Sequence, residues 1–163
     1  MAHAHDRLIT LHNHTLLARV EPRYLPIVEA TTSLCCRVLG DELLEIRILG
    51  SVARGDAVLE LSDIDFAAIT SQPVTAGPRA EIERWAAEAS TRYPQVFAVD
   101  VDLYDLPGLE ADRALPLILE TDSASVWGGS SGRGGRHDAH YGGARRTLRH
   151  PGWGYGSELR RIG

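Results

Sequence analysis

Two aspartates one residue apart, Asp63 and Asp65, stand among bulky apolar neighbours in the run Ser62-Asp63-Ile64-Asp65-Phe66. Alternate side chains of a β-strand share a face, so both carboxylates project one way while Ile64 and Phe66 enter the core. That spacing, about 6–7 Å along a strand, lets two carboxylates grip divalent cations from one side. Upstream, the apolar run ending in Ile48-Leu49 leads into Gly50-Ser51. Such a turn offers backbone N–H groups and a hydroxyl at a helix start, where phosphate oxygens bind. Metal-binding acids beside a phosphate cradle point to chemistry on a nucleotide. A third acid is available from Val96–Tyr104, where Asp100 and Asp102 alternate with apolar residues and face the same way.

The elements that must position these residues follow from periodicity. From Pro26 a helical stripe of Ile27, Ala30, Leu34, Val38 and Leu39 runs to Gly40. Leu43–Leu49 reads as a first strand, mostly apolar and therefore central, and Val52–Gly55 as a short helix or turn. Asp63–Ile69 is the second strand. Pro78–Arg92 carries Ile82, Trp85, Ala86 and Ala89 at helical spacing, which makes Trp85 a core residue rather than a base-stacking platform. Gln95–Leu103 is the third strand, stopped by Pro107-Gly108, with Asp105 a loop acid. Ala111–Glu120 reads as a helix interrupted by Pro116, and Ser125–Trp127 as a short last strand with Trp127 in the core. This order predicts an α/β fold, a small mixed β-sheet with helices packed on it.

Leu49-Gly50-Ser51, the Asp63-Ile64-Asp65 triplet that follows it, and Val101-Asp102-Leu103-Tyr104-Asp105-Leu106 occur in the order found in the polymerase-β-like nucleotidyltransferase superfamily. The chain resembles that superfamily over roughly residues 34–127, and most closely its minimal nucleotidyltransferase branch. The resemblance implies transfer of a nucleoside monophosphate, with ATP as donor and two Mg2+ ions held by Asp63, Asp65 and Asp102. Gly50 and Ser51 would cradle the phosphates. Arg54 stands where the superfamily often has a phosphate-touching base, although Asp56 and Glu60 are surface partners of equal standing. Asp102 rather than Asp100 is the third acid by this register, as a ligand on the acceptor side, a general base, or both. The resemblance further implies an antitoxin-like role, with AMP passed to a hydroxyl of a HEPN-type toxin. Alternatives are an aminoglycoside-type small-molecule adenylyltransferase, an inactive binding module of the same fold, and a truncated larger transferase with apolar surface exposed near Leu115–Leu119.

Composition sets outer bounds. At 163 residues the chain holds one domain with a real core, expected at 25–127, after a flexible leader over 1–24. His3, His5, His12 and His14 read as part of that leader rather than as a chelating set. Residues 1–127 carry 20 acids against 10 arginines, a poor surface for duplex nucleic acid. Residues 128–163 carry 2 acids against 7 arginines and 11 of the 16 glycines, too little apolar surface to order the chain. This segment reads as a disordered tail, with weak RNA contact through its Gly-Arg runs as the other reading. No stretch is long and apolar enough to span a membrane. Cys35 and Cys36, adjacent on a helix, read as reduced filler suited to the cytoplasm.

Overall fold

Pro26 sits in the first turn of helix α1 (Leu25–Leu39), where its missing N–H removes no helical bond. The helix buries Ile27, Val28, Thr31, Leu34, Cys35 and Leu39, a stripe turned slightly from the expected one, with Ala30 and Val38 at its flanks. Thr31 fits this apolar face because its hydroxyl donates to the Ile27 carbonyl one turn back, at 2.8 Å. The computed structural model describes residues 17–112 and 114–128. The leader histidines and the Gly-Arg tail lie outside the described residues. Packing begins before the expected boundary at residue 25: two 3-10 turns, Leu17–Arg19 and Pro22–Tyr24, deliver Val20 and Tyr24 into the core.

Strand β1 (Leu43–Leu49) leads into the short helix α2 (Gly50–Arg54), and β2 (Ile64–Thr70) follows a loop. Helix α3 (Ala76–Arg92) crosses to β3 (Val99–Asp105). Two short helices, α4 (Leu106–Ala111) and α5 (Leu115–Thr121), precede β4 (Ser123–Gly128). The sheet order is β3-β2-β1-β4, with β1 antiparallel to both neighbours and β2 parallel to β3. The mixed four-stranded sheet is the α/β architecture expected, and β1 is central as its apolar run required.

Three expectations change. The third strand begins at Val99 rather than Gln95, and Phe97 stands 67% exposed before it. Pro107-Gly108 does not close a loop: Asp105 caps α4 by accepting from the Gly108 amide at 2.9 Å, with Pro107 in the first turn. Pro116 likewise opens α5 instead of interrupting a longer helix.

The two sheet faces differ. On one, Ile46, Ile48, Ile64, Phe66, Ala68 and Val99 pack against α1 and α3, with Trp85 and Trp127 at the margin of this core. Cys35 is sealed there, and burial pushes its thiol up to about 12; Cys36 beside it is half-buried, and both thiols are free. On the other face a small cluster of Ala67, Ile69, Leu109 and Leu119 is covered by α4 and α5 over only part of the sheet. Leu117 and Ile118 of α5 remain close to half exposed, where sequence reasoning placed an apolar surface. Among the described residues no helix is long and apolar enough to cross a membrane.

Candidate active site

The uncovered part of that second face carries the acids. Ile64 and Phe66 turn into the core, so Asp65 must turn outward, half-buried, with Asp63 exposed at the lip of β2. On β3 the same alternation buries Val99 and exposes Asp100 and Asp102. The parallel register sets Asp100 opposite Asp65, and Asp102 opposite Ala67 one step further on. The acids therefore form a shelf at the start of β2 and β3, all on one face.

Electrostatics follow from that crowding. Asp65 has its carboxyl raised above the ordinary range, first by burial and then by repulsion from Asp100, Asp63 and Asp102 in that order. Asp102 accepts a hydrogen bond from the Tyr104 hydroxyl at 3.0 Å. Burial and that carboxylate together push the Tyr104 phenol up to about 12, so it stays a donor. A groove runs between β3 and α3 beside these residues, lined by Arg79, Glu83, Asp100, Asp102 and Tyr104 among others.

The turn expected to cradle phosphates faces the same shelf. Gly50 has φ +64°, a left-handed backbone that suits glycine, and a Cβ there would lie 3.5 Å from Asp65 Oδ2. A side chain at position 50 would therefore point at the Asp65 carboxylate and only just clear it. The Gly50 N–H is already used, donating to the Asp122 carbonyl at 3.3 Å. Ser51, half-buried, follows it in the first turn of α2. Gly55 ends α2 at φ +81°, where a Cβ would come 2.8 Å from the Arg19 carbonyl oxygen.

Arg54, weighed between a phosphate and surface acids, is engaged here with acids. Its Nη1 donates to both carboxylate oxygens of Asp122, at 2.6 and 2.7 Å, and its Nε lies 3.5 Å from Asp56. Asp122 was missed in the sequence. So was a buried network beneath the site, where Arg47 Nε donates to Ser123 Oγ and its Nη1 to Glu45 Oε1, both at 2.5 Å. Neither has a local signal: Asp122 is 68 residues from Arg54, and Arg47 lies inside an apolar strand.

Among the described residues, no three His, Cys, Asp or Glu side chains converge into a closed metal-holding set as they stand. The donor chemistry nevertheless fits a hard divalent cation: oxygen ligands only, on one face, and repelling one another in a way that a cation would relieve.

Acids at the start of β2 and β3 thus stand near a glycine turn, on a mixed sheet backed by two helices. Residues 32–114 match the family described as nucleotidyltransferase domain, and the chain belongs to that family of nucleotidyltransferases. No curated protein matches it. Among solved structures it is similar to a chain of a toxin–antitoxin complex with AMP-PNP, at 24% identity over 63% of this chain and 74% of that one, with TM-score 0.43. It is also similar to a chain of the tri-AMPylated Shewanella oneidensis HEPN toxin in complex with MNT antitoxin, at 23% identity over 66% and 73%, with TM-score 0.43.

Proposed function

We propose that the protein moves AMP from ATP onto a hydroxyl of a protein partner, the antitoxin-like role that the motif resemblance implies. The observation that carries the site assignment is the apposition of Gly50 and Asp65. It sets the glycine turn beside a carboxylate that has further acids next to it, which supports a phosphate role for the turn and a metal role for the acids.

Asp63, Asp65 and Asp102 would hold magnesium, which when bound neutralises phosphate charge and acidifies the acceptor hydroxyl. Asp102 is retained as the third ligand because Tyr104 fixes one of its oxygens, as outer hydrogen bonds orient ligating carboxylates. Asp100, in register with Asp65, is the competing assignment. Gly50 and Ser51 orient the triphosphate, with its α-phosphorus toward the shelf. The acceptor enters along the groove beside β3. Its hydroxyl oxygen bonds to the α-phosphorus as the bond to the bridging oxygen breaks, and pyrophosphate leaves with that electron pair. The hydroxyl proton passes to a carboxylate of β3. An ordinary carboxylate is a weak base at neutral pH, so positioning and electrostatics contribute most of the acceleration. Domain limits of roughly 17–128 for the catalytic unit belong to the same reading.

Incubation with α-labelled ATP, Mg2+ and the product of the adjacent gene tests it. Label on a tyrosine or serine of that partner, lost in Asp65→Asn, is expected. Label on an added aminoglycoside instead would move the acceptor to small molecules. Failure to bind any nucleoside triphosphate would leave only the binding-module reading.

A further inference from the structure

We propose that Asp122 is a positioning residue for the donor phosphates, acting through the Gly50 turn and through Arg54; this rests on the nucleotidyltransferase reading above. One residue holds both ends of α2. Its main-chain carbonyl accepts from the Gly50 N–H, where the turn begins, and its carboxylate clamps the Arg54 guanidinium, where the helix ends. Asp122 is itself held from below. Ser123, its neighbour, accepts Arg47 Nε at Oγ and Nη2 at its carbonyl, the latter at 3.3 Å, and its hydroxyl donates to the Leu119 carbonyl at 2.5 Å. Arg47 is in turn fixed by Glu45, and all three residues are buried.

The connection therefore runs from the centre of β1, through the first residue of β4, to the turn that faces Asp65. Both oxygens of the Asp122 carboxylate close on one nitrogen of Arg54, its Nη1, which anchors the end of the side chain by a charge-assisted contact. In the unclamped state a long arginine side chain samples many rotamers, and binding a phosphate must first arrest them. The clamp removes that requirement. Arg54 is not buried; with Nη1 on Asp122 and Nε 3.5 Å from Asp56, Nη2 is the group left to meet an incoming anion.

Asp122→Asn is the test, because it removes the clamping charge while keeping the carbonyl that takes the Gly50 N–H. ATP with Mg2+ is the probe, and affinity is measured by calorimetry in the wild type, in D122N, in R54A and in the double variant. D122N is expected to weaken binding about tenfold. R54A should weaken it at least as much, and the double variant no further than R54A. The unfolding midpoint of D122N should stay within a few degrees of wild type, since the pair is partly exposed. A merely structural role for Asp122 would not produce this coupling. D122N or R54A binding like wild type, or additive losses in the double variant, overturns the proposal. Should D122N fail to fold, R54A alone decides it: unchanged affinity overturns the proposal and a clear loss supports it. A wild-type protein that binds no triphosphate instead overturns the nucleotidyltransferase reading itself.

Discussion

Replacing Arg47 by methionine should be among the most damaging single changes in this protein. Arg47 and Glu45 are 7% and 5% exposed and sit on the same face of the central strand, joined at 2.5 Å. Methionine fills much of the volume but leaves the Glu45 carboxylate without its charge partner, and the Ser123 carbonyl without its Nη2 donor. Breaking a buried pair from one side costs about 3–5 kcal/mol. Domains of this kind have roughly 5–15 kcal/mol in total. With a urea dependence of about 2 kcal/mol per molar, the midpoint should fall by roughly 2 M. The companion variant Glu45→Leu/Arg47→Met removes both charges, and replacing a buried pair by apolar residues is often neutral. It should recover to within about 1–2 kcal/mol of wild type, the remainder being the lost Ser123 bonds. Urea unfolding of the three proteins measures this. A single-variant loss below about 1 kcal/mol, or a double variant no better than the single, would show that Glu45 is not a stranded charge and refute the reasoning.

The remaining expectations concern the site. Asp65→Asn should abolish transfer and yet raise the neutral-pH unfolding midpoint. Asp65 has its carboxyl raised in the folded state, so its ionisation opposes folding as pH climbs through that value, and the gain should vanish below the model-peptide value of 3.8. Mg2+ should raise the thermal midpoint of the wild type more than that of Asp65→Asn, because binding to the native state is what stabilises. Asp102→Asn should depress transfer more than Asp100→Asn in a pyrophosphate-release assay; the opposite order would assign the third ligand to Asp100. Gly55→Ala should cost more than about 1 kcal/mol in chemical unfolding, since the new Cβ meets the Arg19 carbonyl and the backbone is left-handed.

What the sequence made legible was local or periodic. Alternation exposed β2 and β3, the apolar run made β1 central, and Gly-Ser before an acid-apolar-acid triplet carried the family resemblance. What it concealed was contingent on the tertiary fold. Pro107 and Pro116 carry the same breaker signal whether they end a segment or start a helix; here caps and preceding turns decided for the start. Glu45 and Arg47 interrupt an apolar strand, and only the arrival of Ser123 from β4 shows how their polarity is satisfied. Asp100 and Asp102 share a face in any strand, and which lies opposite Asp65 is a matter of register between chains of atoms far apart in sequence.

The bond from the Gly50 amide to the Asp122 carbonyl also has a temporal meaning. Residue 50 leaves the ribosome some seventy positions before the residue that secures it. At synthesis rates of about 5–20 residues per second, the nascent chain spends several seconds with its glycine turn untethered. A half-made polypeptide of this kind would have its acids and its loop yet lack the carbonyl that holds the loop in place.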